Sequence, residues 1–238
     1  MEKHTHIVAA FDRDLEAIQA LIMKMGGLVE AAIEEASIAL DTSDTDLAQK
    51  VRSGDKAIDA LEEKVNEEAA LVIALRQPTA GDLRTVLSVF RLSASLERIG
   101  DYAKNMAKRT RVITELQTIP GASASLRRMS RQVQMMLKDA LDAYIQRDAD
   151  LAADVRERDL EVDQMYTALF REFLTFMMED PRNITPCMHL HFIAKNIERM
   201  GDHVTSIAEQ VIYLVTGEYP DDEREKVDWS KSATLEEE

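Results

Sequence analysis

One stretch of this chain is written twice, and that repeat limits the fold more than any other feature. "ALDTSDTDLAQKVRSGDKAID", starting at Ala39, lies over "AYIQRDADLAADVRERDLEVD", starting at Ala143. Asp46, Asp55 and Asp59 each recur 104 residues later, as Asp150, Asp159 and Asp163. A second pair of segments, "LERIGDYAKN" and "IERMGDHVTS", is offset by 101, so the later copy lacks three residues in between. The difference falls in the connections "RQPTAGDLR" and "EDPRNITP", where proline cannot continue a helix. A duplicated supersecondary unit implies two similar bodies in tandem.

Each copy reads as three helices. Ile18, Leu21, Ile22, Met25, Val29, Ala32, Ile33 and Ala36 fall at i, i+3, i+4 spacing and predict a helix from about Ile7 to Leu40. "DTSDTD" supplies turn and N-cap chemistry for a second, from about Thr45 to Leu75. A third runs from about Ala80 to Leu116. "IPGAS" then breaks the chain, with Ser123 as the expected cap of the next helix. Helices over about Ala124–Arg147, Asp148–Met178 and Thr185–Val215 complete the second copy. Short connections make consecutive helices antiparallel neighbours. The expected fold is therefore all-α: two tandem, pseudo-symmetric three-helix bundles at residues 1–118 and 119–217, followed by an acidic, disordered tail at 218–238. No paired alternating runs joined by a hairpin turn argue for strands.

Composition narrows the function. A formal net charge of -15 disfavours binding to nucleic acid and favours cations or basic protein surfaces as partners. A single cysteine, Cys187, rules out an internal disulfide and fits the cytoplasm. No charged-then-apolar leader opens the chain, and no apolar run approaches the roughly 18 residues that span a bilayer, so any membrane association is expected through partners. Enzymatic apparatus is not visible. No histidine has a glutamate three residues before it, as a di-iron bundle site would want, and no glycine precedes a lysine as in a phosphate-cradling loop.

The repeated acids carry the functional signal. On the helical projection Leu92, Leu96, Ile99, Ala103 and Met106 form one apolar arc, with Glu97, Gly100 and Asp101 roughly opposite. In the second copy Ile193, Ile197, Met200, Val204 and Val211 oppose Glu198, Gly201 and Asp202. Like charges at i, i+4 and a glycine inside a helix are both unfavourable. The preceding helix of each copy carries the same spacing, Asp55 with Asp59 and Asp163 with Asp159, extended in the first copy by Glu62 and Asn66. If consecutive helices bring these pairs level, four carboxylates meet on a concave strip suited to iron, manganese, magnesium or calcium, and less clearly to zinc. Two plainer readings stand beside this one: a solvated acidic face, or neutralisation by Arg98 and Arg199. His191, seven residues before Glu198, is a nitrogen donor available to the second strip only. His189 and His203 project towards the apolar side as packing residues, and His4 and His6 belong to a mobile end.

"LERIGDYAKNMAKR" and "NIERMGDHVTSIAEQVIYLVTGE", each preceded by D-x-x-x-D, resemble the PhoU family over about residues 1–217. The resemblance implies a non-enzymatic negative regulator of phosphate-starvation signalling. Such a regulator links the ATPase subunit of the phosphate ABC transporter to a membrane sensor histidine kinase. It also implies multinuclear iron or zinc clusters in some members. Carried over by position, the metal residues are Asp55, Asp59, Glu97 and Asp101, then Asp159, Asp163, Glu198 and Asp202, with Asn105 as a further donor. Where the family often has asparagine, this chain has Ser206, while Asn105 keeps it in the first copy; Tyr166 and Phe170 also replace the oxygen donors Glu62 and Asn66. The first strip is therefore expected to be the better metal site. A metal-handling or phosphate-storage protein is the alternative function, and a homodimer is left open.

Overall fold

The computed structural model describes residues 2–220, with side chains from residue 11 onward. Six long helices follow one another: α1 (Glu2–Thr42), α2 (Thr45–Arg76), α3 (Ala80–Ile113), α4 (Ala122–Gln146), α5 (Ala149–Glu179) and α6 (Ile184–Thr216). A single 3-10 turn, Pro181–Asn183, leads into α6. There is no strand among the described residues. The side chains of His4 and His6, and residues 221–238 of the expected tail, lie outside the described residues.

The helix boundaries follow local chemistry. Asp44 starts α2 by accepting from the backbone N–H groups of Asp46 and Leu47 at 3.0 and 2.9 Å. Asp148 does the same for α5 with Asp150 and Leu151, both at 3.0 Å. The repeat thus extends to its caps, each satisfying two otherwise orphaned helix N–H groups. Some boundaries differ from expectation: α1 begins at Glu2, ahead of Ile7, and α3 ends at Ile113, short of Leu116. α4 begins at Ala122 behind Gly121, whose φ of 78° is open to glycine at little strain, and Ser123 lies inside the helix instead of capping it.

Within each copy the three helices pack on one another, and the predicted arcs form the interior. Leu92, Leu96, Ile99, Ala103 and Met106 are fully buried, as are Ile193, Ile197, Met200, Val204 and Val211. The copies do not keep separate cores. α3 packs along α6 and α1 along α4, so one apolar core runs from Ile18 to Leu214 through both halves. At the α1–α4 seam Gly26 takes in Leu141: a Cβ on Gly26 would stand within 2.4 Å of Leu141 Cδ1. Among the described residues no helix is long and apolar enough to cross a membrane.

Candidate functional site

Two acidic grooves, one per copy, lie along the α2–α3 and α5–α6 contacts. The projection sets Gly100 and Gly201 opposite the apolar arcs, yet both are buried against the facing helix, and an aspartate of that helix is buried with each. Asp55 is only 5% exposed and Asp159 only 7%. The glycine on the facing helix makes the burial feasible. A Cβ on Gly100 would lie 2.9 Å from Ile58 Cδ1 and 3.8 Å from Asp55 Oδ1; on Gly201 it would lie 3.1 Å from Asp159 Oδ1 and 3.5 Å from Val162 Cγ1. What approaches each glycine is the neighbouring helix with its aspartate.

In the first groove a lysine joins two of the four family positions, Asp55 and Asp101. Lys104 Nζ stands 2.5 Å from Asp55 Oδ2 on α2 and 3.1 Å from Asp101 Oδ1 on α3, bridging the helices. Its hydrogen bond to Asp55 holds the ammonium above the ordinary lysine value. Arg98 reaches Glu97 at 3.7 Å and Asp101 at 3.8 Å, as one of the plainer readings expected. The remaining acids stay crowded. Burial pushes Glu97 up to about 7, with Asp101 and Glu62 adding to the rise and Arg98 opposing it. Asp59 is raised by burial and then by Asp55, against the pull of Lys104. Asn66 faces Ser93, accepting its hydroxyl at 3.3 Å, whereas Asn105 points outward and is exposed.

The second groove is built differently. Lys195, one turn before Glu198, donates to its Oε1 at 2.6 Å, while Glu198 Oε2 is buried with no hydrogen-bond partner. Burial raises Glu198, Lys195 counters, and the charges of Asp202 and Asp163 push further in the same direction as burial. His191 is set among the rings of Tyr166, Phe170 and Phe192, with centroids 5.8, 5.3 and 6.1 Å away. Burial and then Lys195 depress its pKa, so the ring is neutral near pH 7, and its buried Nδ1 makes no hydrogen bond. His203 packs on Tyr102 at 5.8 Å, as expected. His189 is only half-buried, its Nδ1 lying 3.3 Å from Arg109 Nη1. Arg199 lies over the ring of Tyr102, 5.9 Å from its centroid.

Among the described residues no group of three or more His, Cys, Asp or Glu side chains forms a ready cage for a metal ion. In each groove a lysine pairs with the acids. The donor chemistry nonetheless suits a hard ion, because carboxylates dominate the grooves and Glu198 Oε2 is an orphaned buried acceptor. Lys104 and Lys195 escaped the sequence reading. Their signal was present as i, i+3 spacing to Asp101 and Glu198.

The PhoU domain matches this chain twice, over residues 22–110 and 126–211, so that one match covers each acidic groove. The chain belongs to the PhoU family. A "Phosphate-specific transport system accessory protein PhoU homolog" of Rhizobium meliloti is 46% identical over 229 residues, covering 96% of this chain and 97% of that relative. A Caulobacter vibrioides protein of the same description is 44% identical over 94% of this chain and 97% of its own length. The crystal structure of PhoU from Pseudomonas aeruginosa superposes with a TM-score of 0.85 at 41% identity, covering 87% of this chain and all of that one. The phosphate transport system regulatory protein PhoU from Streptococcus pneumoniae gives 0.82 at 30% identity, over 89% and 99% of the two chains. PhoU architecture therefore extends across both copies.

Proposed function

We propose that this protein is a non-enzymatic regulator of phosphate uptake and phosphate-starvation signalling. In this reading it acts as an adaptor between the ATPase subunit of a phosphate ABC transporter and a sensor histidine kinase, in the cytoplasm. The full-length likeness to phosphate-specific transport system accessory proteins supports the reading most directly. The grooves supply a mechanism. Each presents carboxylates whose charge is partly offset by a lysine, and Lys104 keeps a side chain 40% exposed that can swing out. A basic partner side chain, or a cation, can then exchange with the lysine and alter the field the surface offers. The test is capture of the purified ATPase subunit and kinase before and after chelation. Capture that survives chelation is the expected result; capture lost on chelation, and restored by metal, would turn the reading over to metal handling.

Metal binding at the grooves belongs to this proposal, with iron, zinc, manganese or magnesium as the candidate ions and the eight family positions as ligands. Glu62, Asn105 and His191 are supplementary donors, although Asn105 would have to turn inward from an exposed position. The buried, unpartnered Glu198 Oε2 favours it. In a metal titration, Asp59→Ala is expected to lose more binding than Asp163→Ala, because the first groove has more oxygen donors. Lys104→Gln should strengthen the first site by removing the competing ammonium. Equal losses at the two aspartates, or no gain at Lys104, would count against this assignment.

A further inference from the structure

We propose that the α1–α4 seam holds a binding site for a phosphorylated small molecule of about mononucleotide size, separate from the acidic grooves. The observation is a broken symmetry. α1 ends at Thr42 and α4 at Gln146, so position 26 corresponds to 130 and position 37 to 141. At one end of the seam Leu141 fills the space left by Gly26. At the other end the equivalent residues are Ser37 and Ser130, and they leave a cavity of about 400 Å³ open at one side. This lies in the range of about 300–1,000 Å³ usual for small-molecule sites.

The lining is that of a built site. Ser37 is 6% exposed and Ser130 1%; both residues line this cavity, and neither buried hydroxyl oxygen has a hydrogen-bond partner. A helical serine commonly returns its hydroxyl to the carbonyl one turn back; these two do not. Each is a buried polar group with no partner inside the protein. Arg127 and Arg131 stand on the same wall one turn apart. Arg127 gives one donor to Asp41 at 2.8 Å, leaving the rest of its guanidinium and that of Arg131 for an anion. Gln134 adds an amide that otherwise reaches only the Glu30 carbonyl, at 3.4 Å. At the closed end of the seam the counterparts of the two arginines are Met23 and Gly27, and Lys138 stands where the open end has Glu34.

The rest of the cavity selects the ligand class. Guanidinium and hydroxyl donors match a phosphoryl group. A free inorganic anion would leave most of the volume empty and would face the Glu34 carboxylate, also in the lining, without compensation. An organic body resolves both problems: its hydroxyl or amino groups donate to Glu34, and its apolar surface lies on Ile33 and Ile38.

Isothermal titration tests this with AMP, ribose 5-phosphate, adenosine and inorganic phosphate as separate probes, on the full chain dialysed free of metal. AMP or ribose 5-phosphate is expected to bind at one site per chain, with adenosine and inorganic phosphate at least about tenfold weaker. Arg131→Ala, a change at an exposed position, should weaken the phosphorylated probe by about tenfold or more, the worth of a charge-assisted hydrogen bond. Ser37→Leu with Ser130→Gly rebuilds the Gly26–Leu141 arrangement, closes the cavity and should abolish binding with thermal stability kept. Asp59→Ala, in the acidic groove, should leave it unchanged. The proposal is overturned if no probe binds, if adenosine or inorganic phosphate binds as tightly as the phosphorylated probes, or if neither Arg131→Ala nor the double variant affects binding.

Discussion

Glu97→Gln is expected to stabilise the protein by about 2–3 kcal/mol at pH 8 in the presence of chelator, and to change it little at pH 4.5. Glu97 is 21% exposed, and burial with Asp101 and Glu62 nearby lifts its pKa from 4.5 to about 7. Between those values the folded protein holds a proton that the unfolded chain has released, so stability falls as pH rises through the window. Above 7 the carboxylate is ionised in both states and the full cost is present; below 4.5 it is neutral in both and the cost vanishes. Glutamine keeps the neutral form at every pH and can still donate to Asp101. The lost Arg98 contact matters little, since that side chain is 60% exposed. Asp59 and Glu198 are raised for the same first reason, burial, and slope the same way. His191 and His203, depressed by burial, act in the opposite sense as pH drops below about 6.5. Urea unfolding of both proteins across this range isolates Glu97 as a difference. A variant less stable than wild type at pH 8, or one whose advantage does not depend on pH, would refute the assignment.

Leu141→Ala is expected to cost about 2–5 kcal/mol, because it empties a fully packed place at the seam joining the two copies. Leu141 is buried against Gly26, so its removal leaves a hole that neither helix can close alone. The companion change is diagnostic. Gly26→Ala in the wild-type background drives a methyl into Leu141 at 2.4 Å, and overpacking of this kind sets about 1–3 kcal/mol against the helix propensity gained. With Leu141→Ala already present, the same methyl enters free space and should recover part of the loss. A double-mutant cycle by chemical unfolding reads the coupling. Additive effects of the two changes would show that the residues do not share the space the structure gives them.

The helices, their order and most of their ends were legible in the sequence because they depend on local terms. Apolar spacing marks the buried arcs, Asp44 and Asp148 mark the starts of α2 and α5, and proline marks the connections. The repeat assigned the eight groove acids to matched positions, since a helix places i and i+4 on one face whatever it packs against. Depth was not legible. How far Asp55 and Asp159 sink is set by the approach of α2 to Gly100 and of α5 to Gly201, contacts between segments far apart in sequence. The bridge from Lys104 to Asp55 depends on the same approach.

By itself, then, the sequence determined the helical class, the duplication, the three-helix unit and the matched spacing of the paired acids, all consequences of periodicity and capping within a few turns. Only the tertiary structure decided that the two copies share one core, that lysines stand among the acids, and that the α1–α4 seam is closed by Leu141 at one end and open between Ser37 and Ser130 at the other. Side-chain volume is matched across an interface between helices about a hundred residues apart, and no local pattern along either helix records what the facing one supplies.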